Sequence, residues 1–486
     1  MNKRLAVAAM IVLALAFASC GGGSNNAPPP VGGGSNGGFS NASLNGTWVF
    51  TVRGSGAAND FAVLGIFNAD GNGHITSGSQ DLNDSSSGYS ANNPVSGTYS
   101  VASDGRGQVQ LNFSGGNALF RFVLTSGGKA RIFEVSGVED ATGQMFKQDS
   151  TAISNLAGNY VLRLDGFLNG GIDAVVGRIS ASGGPASGTL SATLDENFGG
   201  TFTPQLATTG TFNMAASGKG TAALTGGATT FNLAYYIVSS SHVEFIETDI
   251  GGVLSGGADL QGSDFSTAAV NGPYVFSIAG LTNTGTQVQT IREIGRTVLN
   301  GSGAITSGAE DLNLGANFQE NVNYTGTYTV QPNGRFTMQF AFSNQNVNLV
   351  GWLSSTQSAV LMTTDSDLVE TGTMRLQTGS FSTATLNGNY GLAFAGPNFS
   401  TGFEVQLTGA TRFDGAGGIA GTEDFQTGGT LTANSPVSGG YSIDANGHSA
   451  GTLGGIPFRL YLADSSTAYF IAADSQRGYS GILAVQ

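Results

Sequence analysis

The sequence predicts an all-β protein of four tandem, antiparallel, up-and-down β-barrels with eight strands each, in repeats of roughly 100–116 residues. Three observations carry this expectation. A set of anchor motifs recurs in order four times, the hydrophobic period within each repeat is two, and turn residues return at short intervals.

The first anchor is an apolar residue, any residue, glycine, any residue, aromatic. It reads LNGTW at Leu44–Trp48, LAGNY at Leu156–Tyr160, VNGPY at Val270–Tyr274 and LNGNY at Leu386–Tyr390, with the aromatic positions 112, 114 and 116 residues apart. A second anchor (SGTYSV, TGTFNM, TGTYTV, SGGYSI) places Tyr99, Phe212, Tyr328 and Tyr441 at 51, 52, 54 and 51 residues past the first. Between the two anchors stand DGNGHITSGSQDLN (70–83), NGSGAITSGAEDLN (300–313) and the looser DGAGGIAGTEDFQ (414–426). The repeats divide the chain at 41–153, 154–268, 269–384 and 385–486.

After each first anchor the side chains alternate. Trp48, Phe50 and Val52 interleave with Val49, Thr51 and Arg53, and Tyr160, Leu162 and Leu164 behave alike, as do Tyr274, Phe276 and Ile278, then Tyr390, Leu392 and Phe394. This is the pattern of a strand buried on one face. Turn signals such as DGNG, SDGRG, NGSG, PNGR and DANG supply the glycine and asparagine that accept positive φ in tight hairpins. In the first repeat they separate strands near Trp48, Leu64, Ile75, Tyr99, Val109, Phe122, Phe133 and Met145. Eight strands with short links suit a closed meander, whereas an immunoglobulin-like sandwich would need longer crossings between sheets. The Leu44–Gly46–Trp48 opening resembles the first strand of lipocalins and avidins, which implies an aromatic closing one end of an eight-stranded barrel; no ligand residue of those families carries over.

Ahead of the repeats, Lys3 and Arg4 precede an apolar run over residues 5–18, shorter than the ~20 residues that span a bilayer, so residues 1–19 read as a signal peptide. Phe17, Ala18 and Ser19 before Cys20 resemble the lipobox of bacterial lipoprotein precursors, with Phe17 where that family usually has leucine. The resemblance implies cleavage before Cys20, lipidation of its thiol and new amino group and, with Gly21 following, an outer-membrane address in the cell envelope. Acyl chains contribute about 0.8 kcal/mol per buried CH2, enough for durable attachment without a spanning helix. Residues 20–40 are a Gly-, Ser-, Asn- and Pro-rich tether with a reach of roughly 25 Å.

Loss of the leader leaves 16 Lys and Arg against 32 Asp and Glu, a balance that excludes a phosphate-tracking basic stripe and makes nucleic acid an unexpected partner. Cys20 is the one cysteine, so disulfides play no part.

Asn68, Asp70, Asn72 and Gly73 match the first half of an EF-hand loop, but Ser79 stands where a bidentate glutamate belongs and the third and fourth repeats have Ser302 and Ala416 for Asn72; a glycine-rich turn explains all copies and no metal is expected. Asp81, Asp195, Asp311 and Asp424 fall 33, 35, 37 and 34 residues past the first anchors. They read either as a common site or, preferably, as strand acids that hydrogen-bond a neighbouring turn. Asp249, Asp365 and Asp474, with Ser136 near the matching place, take the same reading. His74, His242 and His448 share no repeat position, and the GGSNG of residues 33–37 matches G-x-S-x-G only formally, inside the tether. No enzyme, cofactor or catalytic residue is expected. The sequence points to a non-enzymatic, lipid-anchored envelope protein acting as a binding, adhesion or structural module, with lipocalin-like carriage of a small apolar ligand as the alternative.

Overall fold

In every repeat the period-two segments pair with their sequence neighbours and the last strand returns to the first. The structure, a computed structural model, describes residues 38–56, 59–135, 140–151, 156–227, 229–283 and 288–486, so Cys20 and the leader lie outside it. Its core is four closed, antiparallel, eight-stranded barrels. Barrel 1 runs from Gly46–Ser55 to Asp140–Lys147, barrel 2 from Gly158–Leu168 to Gly252–Leu260, barrel 3 from Asn271–Asn283 to Leu368–Leu376 and barrel 4 from Asn387–Asn398 to Ser480–Val485. Closure is visible at the anchor aromatics: Tyr160 sits opposite Ile179 on the second strand and Leu260 on the eighth, and Trp48 opposite Phe67 and Lys147. In barrel 1 the fourth strand is broken at Val95 into Gly88–Pro94 and Ser96–Val101, both pieces paired to His74–Asp84. Among the described residues helix is limited to short 3-10 turns at Asn41–Leu44, Thr267–Ala269 and Thr383–Thr385, each just ahead of a barrel.

The anchor glycines have a steric cause. Gly46, Gly158, Gly272 and Gly388 hold φ of 112°, 117°, 109° and 152°, which L side chains rarely adopt. Gly97, Gly210, Gly326 and Gly439 of the second anchor face a cross-strand carbonyl at 1.7–1.9 Å from where a Cβ would stand. At the linker end Trp48 donates its indole N–H to the Leu44 carbonyl (2.7 Å), while the Tyr328 and Tyr441 hydroxyls bond the carbonyls of Val270 and Leu386 (2.7 Å each), so the two anchors lock each other and plug that end.

Inward side chains fill the barrels. Phe50 packs on Phe67 and Phe120, Phe276 on Phe340, and Phe394 on Phe470 at ring separations of 5.0–6.4 Å. A void of about 10 Å³ lined by Leu156, Tyr160, Leu224 and Phe245 remains in barrel 2, at the lower limit for one water.

One expectation is exceeded. Val49, Val161 and Val275 lie on the face assigned to solvent, yet are at most 1% exposed. They belong to apolar clusters that join consecutive barrels: Val49, Leu64 and Phe146 with Tyr236, Ile246 and Val253; Val161 and Val176 with Trp352 and Met362; Val275 and Ile294 with Tyr461 and Ile471. Barrel 4 in turn packs its first two strands against the last three of barrel 1. The barrels therefore stand in a closed ring, each touching the next through the same pair of faces.

Phe276→Ala is expected to cost about 3–5 kcal/mol through a cavity that the rigid barrel wall cannot collapse. Denaturant unfolding reads this directly, and a loss below about 1 kcal/mol would contradict a packed interior.

Candidate functional site

The four aspartates of the repeat lie on the third strand of each barrel, on its outer face, and are 0–1% exposed. One oxygen of each accepts a backbone N–H from its own barrel: Asn92 for Asp81 (2.7 Å), Gln205 for Asp195 (3.1 Å), Asn321 for Asp311 (2.8 Å) and Asn434 for Asp424 (2.7 Å). Those four donors all have positive φ (50–60°) at a bulge of the fourth strand, so the expected bond to a neighbouring turn is present in every copy.

The second partner comes from the next barrel. Lys219 Nζ reaches Asp81 at 2.5 Å, Arg335 grips Asp195 through Nε and Nη2 at 2.9 and 2.8 Å, His448 Nε2 lies 2.7 Å from Asp311, and Arg106 Nη1 closes the ring on Asp424 at 2.9 Å. These nitrogen-bearing partners follow the second anchor by 7 residues in all four repeats, on the residue after the hairpin glycine. The alternative of one common site gives way to four equivalent junctions. His448, assigned no repeat position among the histidines, occupies the position of Arg106, Lys219 and Arg335. Burial makes each pair demanding, and auxiliary donors meet the demand: Tyr89 for Asp81 (2.7 Å) and the Trp352 indole for Asp195 (2.8 Å).

Amide staples flank the pairs, two at each of the first three junctions. Two residues beyond the aspartate, Asn83 donates to the carbonyls of Glu247 and Gly252, Asn197 to Thr363 and Leu368, and Asn313 to Asp474 and Arg477, all in the next barrel; Gln426 holds this position in barrel 4. At the linker end Gln148 donates to Ser217 and Ile237, Gln261 to Asn333 and Leu353, Gln377 to Asn446 and Leu462, and Gln486 to Asp104 and Leu124. The spacing of the aspartates is visible in the sequence, whereas their partner and the glutamine were missed, although both recur at a nearly fixed offset.

The remaining candidates are structural. Asp70 accepts from the N–H groups of Asn72 (2.7 Å) and His74 (3.0 Å), and these backbone bonds hold its carboxyl down at about 2; Asn300 and Asp414 make the same turn. Asp249 and Asp365 bind the backbone N–H and side-chain amide of Asn232 and Asn348, and Asp474 pairs with Arg477. Cys20, residues 33–37 and Ser136 lie outside the described residues.

Inward-facing acids form a further group, at the end of barrels 2 and 3 away from the anchors. Burial, aided by Glu196 and Glu247, raises Asp173 to about 8; burial raises Glu247 and Glu293 to about 7 and pushes Glu310 and Glu370 well upward. His242 spans Asp259 and Glu244 at 2.8 Å each; burial alone would lower its pKa, but the two carboxylate bonds outweigh it and hold the ring at about 9.

No family model matches the chain, and a search of the curated proteins finds no match.

Asp195→Leu leaves Arg335 buried without its counter-charge and is expected to cost about 3–5 kcal/mol, whereas adding Arg335→Met should recover most of it. Equal melting of the single and double variants would sink the assignment. The raised acids and the raised histidine act in one direction: each stabilises the fold below its unfolded-state pKa and loses that contribution as pH climbs through its folded-state value. Tm should therefore fall as pH rises from about 5 to about 9, with Asp173→Asn and Glu293→Gln flattening the fall below about 8 and His242→Gln flattening it above about 6.5. A profile unchanged in all three variants would count against this account.

Proposed function

We propose that the chain is a non-enzymatic, lipid-anchored protein of the cell envelope whose ring of barrels serves as a rigid binding, adhesion or structural module. The observation that carries this reading is the disposition of its polar groups: the repeated acids, amides and cations that could have formed a reaction centre are spent on joining one barrel to the next. What is left facing outward is hairpin loop and the exposed face of strands away from the junctions. At the end away from the anchors these loops carry Phe198, Ile250 and Phe403, exposed by 37%, 83% and 54%, apolar side chains available to a protein partner. The lipobox at Cys20 and the tether behind it support anchoring, with the ring held clear of the lipid.

Carriage of a small apolar ligand is the weaker reading, since a drug-sized molecule needs roughly 300 Å³ or more and aromatic rings occupy the barrel axes.

Cys20→Ser should move the protein from the membrane fraction to the soluble fraction, or arrest it as an uncleaved precursor. Salt-resistant membrane retention of the variant would end the anchor proposal. Mass spectrometry of a denatured extract from the native host should find no stoichiometric small molecule; one per barrel would promote the carrier reading instead.

A further inference from the structure

The ring has an axis, and the seventh, eighth and first strands of each barrel face it. Register identifies equivalent axial positions. Opposite Val123, Tyr236, Trp352 and Tyr461 stand Arg131, Glu244, Val360 and Tyr469, one from each barrel. Two residues earlier on the same strands, toward the linker end, come Lys129, His242, Ser358 and Thr467, which pair across to Phe146, Asp259, Arg375 and Ala484. Arg163, on the first strand of barrel 2, pairs with Gly257, which also faces Glu244, and so joins the same level.

Contacts tie this group together across barrels. Thr51 of barrel 1 donates to Glu244 of barrel 2 (2.8 Å), Tyr469 of barrel 4 lies 2.9 Å from Thr373 of barrel 3, and the His242 ring packs on Phe146 of barrel 1 at 4.7 Å. Four cations, Lys129, Arg131, Arg163 and Arg375, gather here from three barrels. The nearby carboxylates are Glu244 and Asp259, both engaged by His242, and Asp165, which lies 3.7 Å from Arg163 and also pairs with Arg53, so Lys129, Arg131 and Arg375 are the cations of this group with no carboxylate in an ion pair among the described residues. Arg131 feels Glu244, Tyr469 and Arg163; Lys129 feels Arg131, Asp259, Arg375 and Glu244. Burial pulls Arg131 down to about 10, so its charged form is short of compensation. Such a cation excess, in a chain of net charge −14, is a local feature that the ring architecture does not require.

We propose that this axial cluster at the linker end, formed by Lys129, Arg131, Arg163, Arg375 and the Tyr469 hydroxyl, binds a phosphate-type oxyanion. Arginine forks suit a tetrahedral dianion, whose oxygens can accept from several donors at once, and Tyr469 supplies a neutral donor on the barrel that brings no cation to this group. Lys129 and Arg375 lie at the exposed rim while Arg131 and Arg163 are partly buried below it, a gradient that draws an anion inward. The rim opens on the side where residue 38 enters barrel 1, so the phosphate could be free or belong to a lipid headgroup.

Isothermal titration calorimetry on the full chain, with inorganic phosphate at constant ionic strength, should give saturable single-site binding that chloride does not reproduce. Arg131→Gln should weaken it by about tenfold or more, and Asp259→Asn, which removes a competing negative charge, should tighten it. Heats identical to those of chloride, or affinities untouched by both variants, overturn the proposal; the opposite signs expected of the two variants keep the test valid should one of them lose stability. Glycerol 3-phosphate in place of phosphate separates the sources: tighter binding assigns the headgroup, equal or weaker binding the free ion.

Discussion

The closed ring depends on a buried aspartate in each barrel finding its cation in the next. A carboxylate at 0–1% exposure is strongly unfavourable alone, and so is the arginine, lysine or histidine that meets it; each is tolerable only when the other barrel is in place. Every barrel carries both halves on different faces, so no barrel pairs its own buried aspartate with its own partner residue; Arg106 has in addition a carboxylate of its own barrel, Asp104, at 3.0 Å. Two, or three, barrels in a row would leave an aspartate bare at one end and a cation bare at the other. Ring closure through Arg106 and Asp424, 318 residues apart, removes both ends at once. The entropy of closing so long a loop grows only slowly with its length, by about 0.6 kcal/mol per doubling, so distance in sequence is a small obstacle once the barrels are folded.

Apolar packing sets the approach of the barrels, and polar contacts fix their register. Val49, Val161 and Val275 meet Tyr236, Trp352 and Tyr461 across the first three junctions, but such surfaces slide easily because dispersion is non-directional. The amide staples prevent this: one near the anchors at all four junctions, and one near the opposite turns at the first three. The fourth junction is narrower. Gly391 takes the place of the valine and Val123 that of the aromatic, and a Cβ on Gly391 would come within 2.8 Å of Thr125 and 3.2 Å of Val123. Smaller side chains let the backbones approach, which offsets the apolar area lost.

Much of this was legible in the sequence because it is local. A period of two, glycines at strained turns and aromatic anchors at spacings of 112–116 residues are set by single strands and hairpins, and they give the strand count and the barrel. The junctions were legible only in part. The aspartates recur visibly, yet their partners are Arg, Lys, Arg and His, chemically alike only in offering a side-chain N–H to a carboxylate, and a motif defined by residue identity passes over them. Nor does strand amphipathicity reveal that Val49 or Val161 is covered, since a valine on an outer face suits solvent as well as a neighbour. Period two reports the inside of a barrel. What touches the outside is decided by another repeat more than a hundred residues away.

The axial positions follow a different rule from the junctions. At the junctions the four repeats keep one role per position: acid, amide, cation, apolar contact. At the axis the equivalent positions read Arg131, Glu244, Val360 and Tyr469, then Lys129, His242, Ser358 and Thr467, with no role in common. Four copies of one residue there would place four like charges, or four like hydroxyls, around a narrow axis, and like charges at close range repel. Divergence relieves that conflict. It does not require three barrels to contribute cations to one level, because valine, serine or threonine would relieve it equally well. The cation excess is thus separable from the architecture: the ring would stand without it, and its chemistry is that of a site facing an anion.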